Sequence, residues 1–181
     1  MNKIKTLKIL IAIISFMLAF NIIIYLNQKL EPQQFSPPGS DCSVMIKGDP
    51  KENNQVVNTV LGPVTAYSYE SEVAGIAYLI SYADYPAQYN LSGVDPQKLL
   101  DASRDNMAKN VFGRITSETL ISIDGYPGRS ITVAADNGGA AKAKIYLVKN
   151  RLYMLIVATS SSRIYRNSVG EFLDSLKLEG N

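Results

Sequence analysis

Residues 143–159 read AKIYLVKNRLYMLIVAT, and this stretch decides the fold. Successive side chains of its second half are expected to face opposite ways, with Tyr153, Leu155 and Val157 on one side and Leu152, Met154 and Ile156 on the other. The polar break at Asn150-Arg151 predicts a tight turn between two antiparallel strands. We therefore expect a β-hairpin here, with the segments on either side of it extending the same sheet.

The residues just upstream predict a second pair of strands, 115–124 and 130–136. Between them, Gly125-Tyr-Pro-Gly-Arg129 places Pro127 and Gly128 at the central positions of a type II turn, where proline fixes φ and glycine accepts a positive φ. Asp136-Asn-Gly-Gly139 predicts a further turn, which leads into the hairpin.

Two helices are predicted. Asp95-Pro96 has the residue types of an N-cap and a first helical position, and the apolar stripe that follows consists of Leu99, Leu100, Ser103, Met107 and Val111. Gly113 is placed to supply a left-handed C-cap. A second helix, from Arg163 or Tyr165 to Leu176, has the stripe Val169, Phe172, Leu173 and Leu176.

Four more strands precede the first helix. They are expected at 42–47, 55–61, 65–71 and 75–84, and Gly62-Pro63 joins the middle two. Both faces of GIAYLISYAD (75–84) are largely apolar, which predicts a central strand covered on both sides. Successive strands with only two helices predict an α+β domain, with an antiparallel β-sheet of about six to eight strands and helices packed on its faces.

The N-terminal region has the pattern of a membrane anchor. Residues 9–26 (ILIAIISFMLAFNIIIYL) contain no charge, and they are long enough to cross a bilayer as a transmembrane helix. Lys3, Lys5 and Lys8 precede them, so the positive-inside rule places residues 1–8 in the cytoplasm and the chain from residue 30 onward in the periplasm or thylakoid lumen. An uncleaved signal-anchor is favoured over a cleaved signal peptide, because no small-x-small cleavage site follows the apolar run.

The rest of the chain divides into a tether and a domain. Residues 27–41 contain Pro32, Pro37, Pro38 and Gly39 and turn polar, which predicts a proline-rich tether. Residues 42–181 are expected to form one extracytoplasmic domain, large enough for a core of its own.

Composition excludes several functions. The 181 residues include no histidine and one cysteine, which removes histidine-based catalysis and histidine- or thiolate-ligated metal sites. Four lysines and one acid precede residue 40, so the remainder has 14 basic and 15 acidic residues and no field for nucleic acid. No motif for a phosphate loop or a calcium loop is present. We expect no enzyme activity, no cofactor and no metal.

The order of these motifs resembles a known family. Tyr78-x-x-Ser-Tyr-x-Asp-Tyr-Pro86, Asp124-Gly-Tyr-Pro-Gly-Arg129 and Lys144-x-Tyr-Leu-Val-x-Asn-Arg-Leu-Tyr153 look like small, bacterial, often cyanobacterial proteins of the PsbP-like superfamily. The resemblance covers residues 42–178. It implies an α/β/α sandwich around an antiparallel sheet, and it implies no catalytic residues.

Tyrosine and one arginine supply the candidate binding residues. Tyr85 and Tyr89 flank Pro86 in a loop, while Tyr126 and Arg129 bracket the predicted tight turn. Tyrosine also packs well in sheets, and Arg129 is equally suited to clamping an acidic group of a ligand or to pairing with a carboxylate of the fold.

Three functions remain open at this point. The first is an accessory module at a membrane complex that acts through protein–protein interaction. The second is a carrier for a small ligand or lipid, which requires an apolar cavity between sheet and helix. A hydrolase that uses carboxylates alone is the least favoured, because no carboxylate pair has suggestive spacing.

Overall fold

A computed structural model describes residues 31–59, 62–86 and 94–180. The segment predicted to cross the membrane, 9–26, lies outside these residues. Within the described ranges, no helix combines the length and the apolar character of a membrane span.

Ten strands and two helices are described. The strands are β1 (Gln33–Phe35), β2 (Cys42–Ile46), β3 (Lys51–Thr59), β4 (Gly62–Val73), β5 (Ile76–Asp84), β6 (Gly113–Ile123), β7 (Tyr126–Ala135), β8 (Gly139–Val148), β9 (Arg151–Ser160) and β10 (Lys177–Leu178). The helices are α1 (Pro96–Asn110) and α2 (Asn167–Leu173).

Seven strands form one antiparallel sheet in the order β3-β4-β5-β9-β8-β7-β6, and β1-β2-β10 form a small second sheet. On one face of the large sheet, α1 packs through Leu99, Leu100 and Met107. On the opposite face, α2 and the small sheet pack through Phe172 and Val44. The predicted α+β architecture is therefore confirmed, and β5 is an interior strand with apolar side chains on both faces, as expected.

The hairpin of residues 143–159 is confirmed, with a small shift of its turn. β8 and β9 pair from Val148↔Arg151 outward, so the two turn residues are Lys149 and Asn150 rather than Asn150 and Arg151. Lys149 adopts a φ of 54°, the left-handed conformation that tight hairpins require.

The predicted type II turn at Pro127-Gly128 is wrong. The chain reverses three residues earlier, at Asp124 and Gly125, whose φ values are 48° and 83°. Both central residues of a type I′ turn need a positive φ, and Asp followed by Gly meets this need. Pro127 and Gly128 lie inside β7, where a Cβ on Gly128 would approach the Ile145 carbonyl oxygen to 2.5 Å.

The predicted left-handed cap at Gly113 is also wrong. Phe112 takes the positive φ, at 48°, and Gly113 is the first residue of β6. The glycine is needed for a close approach, because a Cβ at this position would lie 2.5 Å from the carbonyl oxygen of Ala134.

β1 lies inside the stretch predicted as a tether. Its Phe35 packs on Tyr69, with 5.3 Å between ring centroids. Downstream of β1, the hydroxyl of Tyr82 donates to the Pro38 carbonyl and that of Tyr153 donates to the Ser40 carbonyl. Buried aromatic contacts and phenol hydrogen bonds thus fix the chain to the sheet before residue 42.

Candidate functional site

The large sheet has one face that a single helix covers only in part. α1 packs over β6, β7 and β8, and among the described residues no helix lies over the α1-side face of β3, β4, β5 and β9. Between α1 and these four strands lies a cavity of about 320 Å³, named here the α1 pocket.

The floor of the α1 pocket consists of alternate residues from four adjacent strands. Because successive side chains of a strand face opposite ways, one residue in two reaches the pocket. The residues at the floor are Gln55, Val57 and Thr59 of β3, Val64, Ala66 and Ser68 of β4, Leu79, Ser81 and Ala83 of β5, and Leu152, Met154 and Ile156 of β9. Four of these twelve side chains are alanine or serine, and this leaves space below the helix.

The helix forms the wall of the pocket. Met107 and Val111 supply apolar surface, and Asn106 and Asn110 supply amide groups near them. Ser103 also lines the pocket, but its hydroxyl already donates to the Leu99 carbonyl at 2.8 Å.

The polar groups of the floor are few and uncharged. Ser68 and Ser81 face each other across β4 and β5, and their hydroxyl oxygens lie 3.2 Å apart. Each hydroxyl can still bond a ligand, because a hydroxyl has one donor and two acceptor positions. Among the described residues that line the α1 pocket, none carries a formal charge.

Tyr85 lies at one end of the pocket. Its side chain is buried, and burial raises the pKa of its phenol, which keeps it neutral. Its backbone N–H donates to the Asn150 carbonyl at 2.8 Å, which ties the start of the β5–α1 connection to the turn between β8 and β9.

An ion-pair network holds α1 beside the pocket. Arg104 lies 2.9 Å from Asp105 and 3.0 Å from Glu118 of β6. Arg129 of β7 donates from Nη2 to Asp101 at 3.0 Å, and its Nε lies 2.9 Å from Glu118 without the angle of a hydrogen bond. Hydrogen bonding to Asp105 raises the pKa of Arg104, so the Arg104 guanidinium stays charged.

The N-terminal cap of α1 agrees with the prediction. Asp95 has extended backbone angles and accepts a hydrogen bond from the Gln97 N–H at 2.9 Å, and Pro96 is the first helical residue. The helix is therefore fixed at its start by its own sequence and along its length by charges from β6 and β7.

The four predicted binding residues do not form one cluster in the described structure. Tyr85 packs in the α1-side core, whereas Tyr126 packs against the core on the opposite face. Arg129 is 8% exposed and pairs with carboxylates of the fold, which is one of the two roles that its residue type suits. Tyr89 lies outside the described residues.

A second cluster of charged side chains, centred on Arg151, links separate parts of the fold. Arg151 binds Asp84 through two hydrogen bonds of 2.6 and 2.8 Å and reaches Asp41 at 3.0 Å. Its guanidinium lies 4.9 Å from the ring centroid of Tyr82. These contacts join β5, β9 and the segment before β2.

Cys42 and the carboxylates are the other groups considered for chemistry in the described part of the chain. Cys42 is 1% exposed, and burial raises the pKa of its thiol, which disfavours the nucleophilic thiolate. Among the described residues, no three Cys, Asp or Glu side chains lie together in a way that would hold a metal ion.

Sequence reasoning missed the pocket residues themselves. The available signal was the run of small side chains at alternate positions, Ala66 and Ser68 in one strand and Ser81 and Ala83 in the next. Small residues on one face of paired strands predict a close approach or a void, and only the position of α1 decides between the two.

Neither the comparison with protein-family models nor the comparison with curated protein sequences gives a match. Solved structures do match. The solution structure of cyanobacterial PsbP (CyanoP) from Synechocystis has a TM-score of 0.55 at 10% identity, over 82% of this chain and 93% of that one. This likeness shows that the chain has a PsbP-like fold.

Two further structures match more weakly. The Ran-binding protein Mog1p of Saccharomyces cerevisiae has a TM-score of 0.48 at 6% identity, over 82% of this chain and 96% of that one. A Bacteroides thetaiotaomicron protein has a TM-score of 0.47 at 12% identity, over 83% of this chain and 50% of that one.

Proposed function

We propose that this protein is a membrane-anchored binding module without catalytic activity, and that its α1 pocket holds a small, uncharged, largely apolar ligand. The observation that carries this proposal is the pocket of about 320 Å³ with no formal charge among its described lining residues. Ligand sites in proteins are concave, mostly apolar and supplied with a few polar groups, and they have volumes of about 300–1,000 Å³.

The uncharged lining of the α1 pocket favours an uncharged ligand. Moving an ionised group out of water is costly unless an opposite charge meets it, and the described lining offers only hydroxyl and amide groups. A neutral molecule with one or two hydrogen-bonding groups therefore suits the pocket, with Ser68 and Ser81 as partners for those groups.

The anchor is residues 9–26, and it places the domain on the extracytoplasmic side of the membrane. The uncharged run and the three lysines before it support this part of the proposal. A reporter enzyme that is active only outside the cytoplasm, fused after Asn181, is expected to be active. An inactive fusion would contradict this orientation.

Protein–protein interaction at a membrane complex is a second candidate. The two outer strands of the large sheet, β3 and β6, each carry an exposed apolar residue, Val56 and Leu120. A free strand edge can pair with a strand of another protein. Co-purification of one complex with the full chain from its native membranes would support this candidate.

The ligand proposal is tested by a matched pair of substitutions. Ala83 and Ala77 both lie on β5 and on the same face, but Ala83 lines the α1 pocket and Ala77 does not. Ala83→Leu is expected to weaken binding of the neutral probe N-phenyl-1-naphthylamine by about tenfold or more, because the added methyl groups occupy the probe's space. Ala77→Leu is expected to leave binding unchanged.

The probe is titrated into the full chain in lipid nanodiscs. The wild type, Ala83→Leu and Ala77→Leu then share the same background fluorescence from probe in the lipid. Equal probe binding by the wild-type chain and Ala83→Leu would contradict a ligand site in the α1 pocket.

A further inference from the structure

Several loops meet at one end of the large sheet. The register of the strands places Val73, Ile76, Gly139, Ser160 and Gly113 at this end. The loops beside them are linked by hydrogen bonds, so they form one continuous surface, named here the N-terminal rim.

The links run from loop to loop across the rim. Asp136 N–H donates to the Phe112 carbonyl at 3.1 Å, and Ser161 N–H donates to the Gly138 carbonyl at 3.3 Å. Arg163 then donates to the Ala74 carbonyl at 2.8 Å.

The N-terminal part of the chain reaches the domain at this same end. Gln33, the first residue of β1, pairs with Ile46, and the Lys47 carbonyl next to it accepts a hydrogen bond from Ser71 near the end of β4. From Leu26 to Gln33 the chain spans at most about 25 Å when fully extended. A bilayer that held residues 9–26 would therefore lie close to the N-terminal rim.

Phe112 is an unusual residue for an exposed loop. It is 80% exposed, and it adopts a φ of 48°, a conformation that is costly for a bulky side chain. Water offers no contact that offsets the exposure of the ring. An aromatic side chain held at a strained position points to a function at that position.

We propose that the N-terminal rim lies against the lipid bilayer and that the ring of Phe112 inserts into it. This inference rests on the membrane anchor of the proposed function and adds a second contact with the bilayer, made by the folded domain. The rim carries both signs of charge, with Lys47 and Arg163 beside Asp49 and Asp136, so the contact depends on the apolar ring rather than on lipid charge.

The orientation has a consequence for the α1 pocket. Val111, which precedes Phe112, lines the pocket. With Phe112 in the bilayer, this end of the pocket is the end nearest to the lipid.

Tryptophan fluorescence tests the proposal, because the chain contains no tryptophan. Full-length Phe112→Trp is reconstituted into phosphatidylcholine vesicles with and without bromine on the acyl chains. The matched control is Leu120→Trp, which is also highly exposed, at 70%, but lies along β6 away from the rim. Both substitutions are at exposed positions, and circular dichroism verifies that each variant keeps the fold.

The expected result is a blue-shifted emission of Phe112→Trp that brominated lipid quenches, with Leu120→Trp neither shifted nor quenched. A chain that floats with the vesicles while Phe112→Trp emits as a water-exposed indole would overturn the inference and leave the anchor intact. A chain that does not float with the vesicles would contradict the anchor and the inference together.

Discussion

At the scale of single residues, Tyr82 shows how a buried phenol fixes the chain that leads into the domain. Its hydroxyl donates to the Pro38 carbonyl, and burial raises the pKa of Tyr82 from 10.0 to about 12. The folded state therefore holds this proton more tightly than the unfolded state. The resulting stability is complete below pH 10 and is lost as the pH rises from 10 towards 12.

We expect Tyr82→Phe to lower the free energy of unfolding by about 1 kcal/mol at neutral pH, because the hydrogen bond to Pro38 is lost. The same variant should lose less stability between pH 10 and 12 than the wild type. Urea unfolding at pH 7, 10 and 11 measures both effects, with the exposed Tyr165→Phe as the control. Parallel pH dependence of the wild type and Tyr82→Phe would contradict this account.

Replacing two glycines by alanine distinguishes a position where a Cβ would collide with a neighbouring strand from a position where glycine only adds backbone freedom. At Gly128 a Cβ would meet the Ile145 carbonyl oxygen at 2.5 Å, and we expect Gly128→Ala to cost about 1–3 kcal/mol of stability. At Gly170 in α2 the nearest atom is 4.0 Å away, and we expect Gly170→Ala to stabilise the protein by about 0.4–1 kcal/mol. Thermal unfolding of the two variants measures the contrast, and effects of the same sign would refute it.

At the scale of elements, the position of α1 depends on charges from β6 and β7. Arg129 is buried and contacts both Asp101 of the helix and Glu118 of β6. We expect Arg129→Met to destabilise the protein by about 1–3 kcal/mol, since two partly exposed carboxylates lose a buried partner. Lys144→Met removes the more exposed pair with Asp174 and should cost at most about 1 kcal/mol. Equal unfolding midpoints for the two variants would show that the Arg129 network does not fix α1.

The sequence predicts the strands and α1 better than the turns between them, for physical reasons. The strands and α1 followed from local patterns: alternation in 143–159, and an Asp-Pro start before a stripe of Leu99 and Leu100. The turns at Asp124-Gly125 and Phe112 were misplaced because proline and glycine nearby gave stronger local signals. The glycines that gave these signals, Gly128 and Gly113, lie where a Cβ would collide with a carbonyl oxygen of the neighbouring strand. The register of the strands decides which carbonyl group lies there, and the local sequence does not show it.

The candidate site was less predictable than the fold. Tyr85 and Arg129 were selected for their residue type, and the structure buries both. The α1 pocket depends on how far across the sheet the helix lies, and the helix is held there by its apolar face and by long-range ion pairs of Arg104 and Arg129 with Glu118. No local pattern in the chain encodes that distance.

At the scale of the whole molecule, the domain combines a PsbP-like sheet, a helix set to one side of it and an N-terminus that reaches the sheet at one end. The α1 pocket reaches the N-terminal rim at one end, where Val111 of its lining precedes Phe112, and its floor extends from there toward the opposite end of the sheet. The account therefore describes a binding site held close to a membrane, with Phe112 as the domain's own contact with the lipid.

Native mass spectrometry of the full chain, purified from its own membranes, tests the central claim most directly. The account predicts that the wild type and Ala77→Leu carry one small neutral molecule, and that Ala83→Leu does not carry it. A wild-type chain with nothing bound, or a bound molecule that Ala83→Leu retains, would contradict a ligand site in the α1 pocket.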